Sequence, residues 1–419
     1  MIGSSTKPLT TLMMARLVDR GCFTWTTPVT EVLPGFTLAD AEVIKRLEMR
    51  HTVCACTGMP RRDVDLLFRV RGVRPEDRIG EMRQMSPTTG LGETFQYSNY
   101  LMAAGGFAAA HSFAPDLSLA DAYDRAMRLL VFEPLGMKQT SVLRIDSHAD
   151  AAPHGRDLQG NLVPLDPVLE QFANSVAPAA SVWSTVLDMA SFVRCELRNG
   201  LNDAGGPVIS PENLLARRRS AVKIDGKRSY GLGLILTEQR GLAQVTHGGN
   251  TLGFPADMFF LPEQGIGMVV LANLGAANLF LASIQQRLLE VLFGAQNKAE
   301  AMVTGAKKAH DTGLERTRQL VKTDPAATGW ISAFVGRFFS EELGSACVFR
   351  NAKGYRIEFE SWSSDLGVRS SPATVGRLFS PVRLGWDLSR LQVSDDLNTL
   401  VLDGGQTRYR FVRIGERRS

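Results

Sequence analysis

A hydroxyl nucleophile needs a base within reach, and the opening residues MIGSSTK contain both in one Ser4-x-x-Lys7 pair. On a helix, this spacing sets the amine beside the hydroxyl. The free N–H groups and positive dipole of a helix N-terminus favour a nearby oxyanion and lower the pKa of an adjacent ammonium, so a neutral Lys7 can take the Ser4 proton. The pattern alone is weak, since ordinary Ser and Lys usage gives about one chance match in a chain of this length. The chain carries its own decoy, Ser220-Ala-Val-Lys223. There "IDGK" follows as a turn between extended segments, and the two side chains need not share a face.

Two later stretches carry groups that fit the same chemistry. "QYSNY" holds Tyr97-Ser98-Asn99, the one Tyr-x-Asn among six tyrosines. A phenol near positive centres can titrate as a base, and a carboxamide can hold a substrate amide or the lysine. Taken alone, the stretch reads better as a capping Asn beside a half-buried Tyr. "THGGN" holds His247-Gly248-Gly249-Asn250, where paired glycines let a substrate backbone approach a strand edge. Alone, it too reads better as a glycine turn with an incidental His.

These residues need elements to position them. After Lys7 the apolar residues Leu9, Leu12, Met13, Leu17 and Val18 follow one helix face and Gly21 supplies a stop, which predicts an amphipathic helix with Ser4 and Lys7 in its first turn. "YLMAAGGFAAAH" predicts a closely packed helix just after Tyr97, and a further helix is expected over 119–131. From about residue 228, "SYGLGLIL", "AQVTHGG", "ADMFFLP" and "GMVVLANL" alternate with turn signals and read as consecutive antiparallel strands. A helix follows at about 278–294. Residues 296–328 are polar and read as a linker containing a helix, with "KTDPAATG" as a break. "SACVFR", "YRIEFE", "TLVLD" and "YRFVRI" then predict a small β unit.

Composition excludes several classes. The 419 residues are 44% hydrophobic and 21% charged, ordinary for a globular protein, and long enough for two units. Forty-seven basic against 43 acidic residues leave a net charge of +4, too diffuse to argue for nucleic acid. The densest basic run, Arg217-Arg218-Arg219, reads as a solvated helix end. No apolar run reaches the ~18 residues of a membrane span. Cys22, Cys54, Cys56, Cys195 and Cys347 are odd in number, lack a framework spacing and read as thiols. Cys54 and Cys56, in an extended segment, would point to opposite faces, and with His51 they lack a second ligand cluster. The histidines His51, His111, His148, His154, His247 and His310 show no His-Glu-x-x-His spacing, so neither a metal nor another cofactor is expected.

The order Ser-x-x-Lys, Tyr-x-Asn, His-Gly-Gly over residues 4 to 250 resembles the serine β-lactamase and penicillin-binding-protein superfamily. "LVDRGCFTWTTPVTEVLPGF" looks like the segment after that family's nucleophile helix. "HTVCACTGMP" is similar to a loop usually reading His-Thr-Ser-Gly-hydrophobic-Pro, and "GFPADMFFLPEQGIGMVVLANL" resembles its central hairpin. The likeness spans roughly 1–295 and points to the class C, esterase and D-aminopeptidase branch.

The resemblance implies an α+β fold: an antiparallel sheet flanked by helices, with an inserted helical region, followed by a C-terminal all-β domain. The expected division is a hydrolase domain at 1–295, a linker at 296–328 and the β domain at 329–419. The resemblance further implies Ser4 as acylated nucleophile, Lys7 as its base and Tyr97 as partner base and leaving-group acid. Asn99 would orient substrate and Lys7, and the backbone N–H groups of Ser4 and Asn250 would form the oxyanion hole. His247, Gly248 and Gly249 would line the substrate strand, with His247 where many relatives carry the Lys of Lys-Thr-Gly. That exchange removes a fixed cation near neutral pH and shifts expectation towards esters, amides or D-amino peptides.

Family members carry several dozen residues before the nucleophile, so the expected reading is that Met1 is internal to the family pattern. The chain shows no leader of its own, and a periplasmic or secreted location would follow only from a preceding segment. The function expected is a serine hydrolase acting on an ester, amide, D-amino peptide or β-lactam. An acyltransferase of the same fold, or a truncated member that only binds ligand, is the alternative. The partner expected is a small molecule or peptide.

Overall fold

The computed structural model describes all residues except 145–149, 158, 240, 323, 325–327, 353, 370–376, 382–390, 395–397 and 416–419. His148 and part of the "KTDPAATG" break lie outside the described residues. The chain forms two compact units: Met1–Arg61, Val73–Ala151 and Ala173–Ala272 make the first, and Arg62–Gly72, Ala152–Phe172 and Asn273–Ser419 the second.

In the first unit, a single 3₁₀ turn, Gly3–Ser5, leads into helix α1, Thr6–Asp19. The expected amphipathic helix is instead buried on nearly every side: Thr6 through Ala15 and Leu17 are all inside. Such a position requires every polar side chain to be satisfied. Thr10 Oγ1 donates to Pro178 O at 2.8 Å and lies 2.7 Å from the Tyr123 hydroxyl, and Thr11 Oγ1 accepts from Arg217 Nε at 3.1 Å. The same arginine donates to Pro8 O and pairs with Glu196 at 2.5 Å, both groups fully buried. Arg218 reaches the second Glu196 oxygen at 2.6 Å. The basic run is therefore not a solvated helix end. Two of its three guanidiniums offset a buried carboxylate that holds the central helix, and that carboxylate titrates below its usual range because of them.

Helix α3, Asn99–Phe113, packs beside α1, and helix α2, Met49–Val53, packs against α3. The two glycines of α3 are the reason it fits. A β-carbon at Gly105 would meet Thr52 Oγ1 at 1.9 Å, and one at Gly106 would meet Pro178 at 2.3 Å. Helix α4, Leu119–Met127, was expected to stop at 131. It continues instead through a π-helical turn at Arg128–Phe132 and closes after Leu135 at Gly136, whose φ is +68°. Helix α5 spans Val186–Leu197.

The sheet of this unit has six antiparallel strands in sequence order: β1 Val222–Lys223, β2 Arg228–Tyr230, β3 Ile235–Gln239, β4 Leu242–Asn250, β5 Pro255–Leu261 and β6 Ile266–Leu271. "SYGLGLIL" thus supplies two strands rather than one. Its glycines break it: Gly233 has φ +71°, and Gly231 N–H donates to Leu234 O at 2.8 Å. The register matters for the site. β3 pairs with β4 only from Leu242 to Thr246, whereas β5 pairs with it from Val245 to Asn250. His247–Asn250 therefore has a strand on one side and an open edge on the other, among the described residues.

The second unit contains helices α6, Asn278–Phe293, and α7, Ala299–Leu320. Eight strands follow: β7 Gly336–Ser340, β8 Gly344–Asn351, β9 Gly354–Phe359, β10 Ser363–Arg369, β11 Arg377–Pro381, β12 Leu391–Val393, β13 Thr399–Asp403 and β14 Arg408–Ile414. Each pairs antiparallel with the next, and β14 returns to pair with β7, so the sheet closes on itself. The two-residue strand Val321–Lys322 adds to β10. Alternation sends Tyr355, Ile357 and Phe359 inward from β9 and Tyr409 and Phe411 from β14. The short helix Asp63–Phe68 plugs this core. Phe68 lies 4.7 Å from Phe359, 5.4 Å from Trp362 and 6.1 Å from Phe411, ring centre to ring centre. The Trp362 indole donates to Leu67 O, and Tyr409 hydrogen-bonds Asp65.

Candidate active site

Each residue of the Ser4-Ser5-Thr6 run makes a different bond. Ser5 Oγ donates to His247 O at 3.1 Å, and Thr6 Oγ1 accepts from Val182 N at 3.2 Å. Ile2 N–H donates to Val182 O at 2.9 Å. The turn is thereby clamped between β4 and the 182 segment, and only Ser4 of the three is partly exposed.

Glycines allow the clamp to close. A β-carbon at Gly249 would lie 1.9 Å from Ile2 O and 3.0 Å from Ser5 N. Gly3 has φ +52°, and its β-carbon would lie 2.8 Å from Asn250 N. Gly249, expected to make room for substrate, receives the backbone of Ile2 and Ser5 at its bare Cα instead. Gly248 and Asn250, by contrast, are exposed. The contact sets the Asn250 amide beside the residue that precedes Ser4.

Lys7 is 1% exposed and makes three hydrogen bonds, to Ser4 Oγ at 3.0 Å, Asn99 Oδ1 at 2.7 Å and Ala179 O at 2.8 Å. An ammonium has three donors and a neutral amine two with one lone pair. Asn99 Oδ1 and Ala179 O accept only, so in the neutral amine the lone pair is aimed at Ser4. Asn99 is not the cap of α3. Ser98 takes that position, accepting from Leu101 N, which frees the carboxamide for Lys7.

The Tyr97 ring stands over this amine, its centre 4.6 Å from Lys7 Nζ and 5.3 Å from the Arg61 guanidinium carbon. It is 6.3 Å from the His247 ring and 6.3 Å edge-on to Tyr230. Lys7 and Tyr97 line one pocket with Tyr230, Thr57 and Ala55, and direct contacts join Ser4 and Asn99 to Lys7, His247 to Tyr97, and Gly249 and Asn250 to the turn before Ser4. The decoy behaves otherwise: Ser220 and Lys223 are exposed at the edge strand β1.

His247 is 3% exposed. Its Nδ1 lies 2.8 Å from Gly248 O, and its Nε2 lies 3.0 Å from the Tyr230 hydroxyl. Burial first, and then the Lys7 charge, push its pKa down to about 3. Burial pushes the Tyr230 phenol well above its usual value, so both groups are neutral near pH 7.

Sequence reasoning missed three partners. Ala179 acts through a carbonyl and carries no side-chain signal. Tyr230 sits in "SYGLG", and Arg61 follows the "TGMP" loop; neither spacing points at a site before folding. Of the five cysteines read as thiols, Cys22, Cys195 and Cys347 are free, and two were misread. Cys54 and Cys56 form a disulfide, because Cys54 ends α2 in helical conformation and Ala55 turns left-handed at φ +53°, which doubles the segment back. Ala55 O then accepts from Gln96 N at 2.8 Å, next to Tyr97. Among the described residues no group of three or more His, Cys, Asp or Glu side chains is placed to hold a metal.

A buried lysine beside a serine, a strand with an open edge and a helix-flanked antiparallel sheet are the features of a serine hydrolase of the β-lactamase-related kind. The sequence model of the Beta-lactamase family matches residues 1–292, and the chain belongs to that family. Penicillin-binding protein 4 of Amycolatopsis lactamdurans is 25% identical over 301 residues, covering 70% of this chain and 77% of that protein. Among solved structures, the octameric penicillin-binding protein homologue of Pyrococcus abyssi matches with a TM-score of 0.59 at 19% identity, over 98% of this chain and 87% of that one. A D-stereospecific amidohydrolase from Streptomyces sp. matches with a TM-score of 0.55 at 18% identity, over 65% and 81%. No helix among the described residues is long and apolar enough to cross a membrane.

Proposed function

We propose that the chain cleaves an ester or amide carbonyl through an acyl-enzyme on Ser4. The observation that carries this reading is the Lys7 amine, held by Asn99 Oδ1 and Ala179 O so that its remaining position faces Ser4 Oγ. Lys7 takes the hydroxyl proton as Oγ bonds to the carbonyl carbon, and the carbonyl electron pair moves to oxygen. The N–H groups of Ser4 and Asn250 stabilise that oxyanion. Its collapse expels the alcohol or amine, which takes its proton from Lys7 or Tyr97. Water then adds to the acyl carbon by the same steps in reverse order and frees Ser4.

Asn99 orients Lys7, and Tyr97 over the amine serves as its proton partner. The open edge of β4 from His247 to Asn250 gives an extended substrate somewhere to add as a strand. Relatives named for penicillin binding and for D-stereospecific amide hydrolysis make a β-lactam and a D-amino peptide the first acyl donors to offer, after a simple activated ester. The first compact unit, Met1–Arg61, Val73–Ala151 and Ala173–Ala272, would carry this activity, rather than the continuous stretch 1–295.

Intact mass after brief exposure to an activated ester and to a penicillin tests the reading, with Ser4→Ala as control. An adduct of acyl mass, absent from the variant, is expected with at least one reagent. Folded protein that forms no adduct with either, or an adduct that survives Ser4→Ala, overturns it.

A further inference from the structure

Tyr230 belongs to no catalytic pattern in the sequence, yet it is 2% exposed and its hydroxyl is 3.0 Å from His247 Nε2. On the other side of the ring, Nδ1 meets a carbonyl, Gly248 O, at 2.8 Å. A carbonyl only accepts, so Nδ1 carries the hydrogen. Nε2 of the neutral ring is then the acceptor, and the Tyr230 O–H donates to it. Both nitrogens are committed, and neither offers an N–H to the pocket.

The groups facing the imidazole close off the alternative. Lys7 approaches from α1, Tyr97 from the loop before α3 and Tyr230 from β2. Protonating Nε2 would place a buried cation beside the Lys7 amine and force the Tyr230 hydroxyl to turn away. The carboxylate on the neighbouring strand, Asp257, pairs opposite Gly248 rather than His247, and alternation turns it to the other face of the sheet.

We infer that Tyr230 is a positioning residue that holds His247 in its neutral Nδ1–H form, so that this site selects acyl donors with no carboxylate beside the scissile carbonyl. A carboxylate is an acceptor and would meet a ring whose only N–H is already spent. Losing water without gaining a donor costs it binding. A neutral ester, amide or blocked peptide suffers no such loss. The substrate class stated here rests on the acyl-enzyme reading above, whereas the tautomer does not.

The test uses the full chain labelled with ¹⁵N-histidine, with the His247 signal assigned by its loss in His247→Asn. Long-range ¹⁵N–¹H correlation is expected to show the Nδ1–H tautomer from about pH 5 to 8, where an unperturbed histidine would titrate. Tyr230→Phe is expected to add the Nε2–H form or the imidazolium. Kinetics then compare two esters with one leaving group, one bearing an α-carboxylate and one an α-methyl. The carboxylate ester is expected to have a kcat/KM lower by at least about tenfold in the wild type, and His247→Lys to close or invert that gap.

An Nε2–H tautomer in the wild type overturns the positioning role. A wild-type preference for the carboxylate ester overturns the substrate class, including a preference that Arg61→Ala abolishes. If Tyr230→Phe does not fold, the wild-type tautomer and the His247→Lys arm still decide. If neither ester acylates Ser4, the acyl-enzyme reading and the substrate class fall together, and the tautomer result still judges Tyr230.

Discussion

The serine site and the closed β unit bury different things. Around Ser4 the interior holds Lys7, Arg217, Glu196, His247 and Tyr230, each tied by hydrogen bonds at defined distances. Around Phe68 it holds mainly rings, Phe359, Trp362 and Phe411, in contact by shape. A polar interior tolerates one arrangement, since a lost partner leaves a desolvated group. An aromatic interior loses energy in proportion to what is removed. The first therefore serves chemistry and the second serves closure.

The contrast can be broken in order of effect. Lys7→Met keeps the volume and removes the amine, and should lower Ser4 acylation about 10²–10⁴-fold in stopped-flow measurements. A loss below tenfold would show that the buried amine is not the base. In the β unit, Phe68→Ala should cost about 3–5 kcal/mol in urea unfolding and Phe68→Leu clearly less. Equal costs would mean that the rings do not pack as a graded core.

Gly249→Ala probes the backbone clamp, where the added methyl meets Ile2 O. Displacing Ser4 by about 1 Å should reduce acylation about 10²-fold. An unchanged rate would show that the turn can shift freely.

Acid separates the regions again. His247 has a folded pKa pushed down to about 3 against an ordinary 6.5, so the unfolded chain binds its proton first as pH falls. Its contribution to stability is whole above pH 6.5 and is lost on acidification towards pH 3, with a slope approaching about 1.4 kcal/mol per unit. His247→Asn should flatten that part of the pH–stability curve, and a slope identical to wild type would assign it elsewhere.

The smallest effect expected is at Cys54–Cys56. Replacing both by Ser opens a three-residue loop worth about 1–2 kcal/mol by closure entropy. Because Ala55 O holds Gln96 N, kcat should fall a few-fold along with it. Reduced and oxidised protein with the same Tm and the same kcat would remove the disulfide from the site.

Local pattern made much of this legible. The strands β4, β5 and β6 and helix α6 follow from apolar runs bounded by turn residues, although Leu279 and Val291 of α6 are exposed. Ser4, Lys7, Tyr97 and Asn99 were legible as a set through their order along the chain. The amphipathic reading of α1 failed because its Thr and Lys residues find partners only after folding, and a polar residue with a buried partner looks the same in sequence as one facing water. The thiol reading failed at Cys54 and Cys56 for a related reason: nothing in Cys-Ala-Cys announces that Ala55 turns left-handed.

By itself, then, the sequence determined which residue types stand at the reacting positions and which segments are helix or strand, since both depend on neighbours a few residues apart. Only the tertiary structure decided that Lys7 meets Ser4, that Gly249 admits the backbone of Ile2 and Ser5 and that the Tyr230 hydroxyl meets the ring of His247. Those facts join residues separated by tens to hundreds of positions. Their energies come from desolvation and hydrogen-bond direction, which exist only once the chain has excluded water.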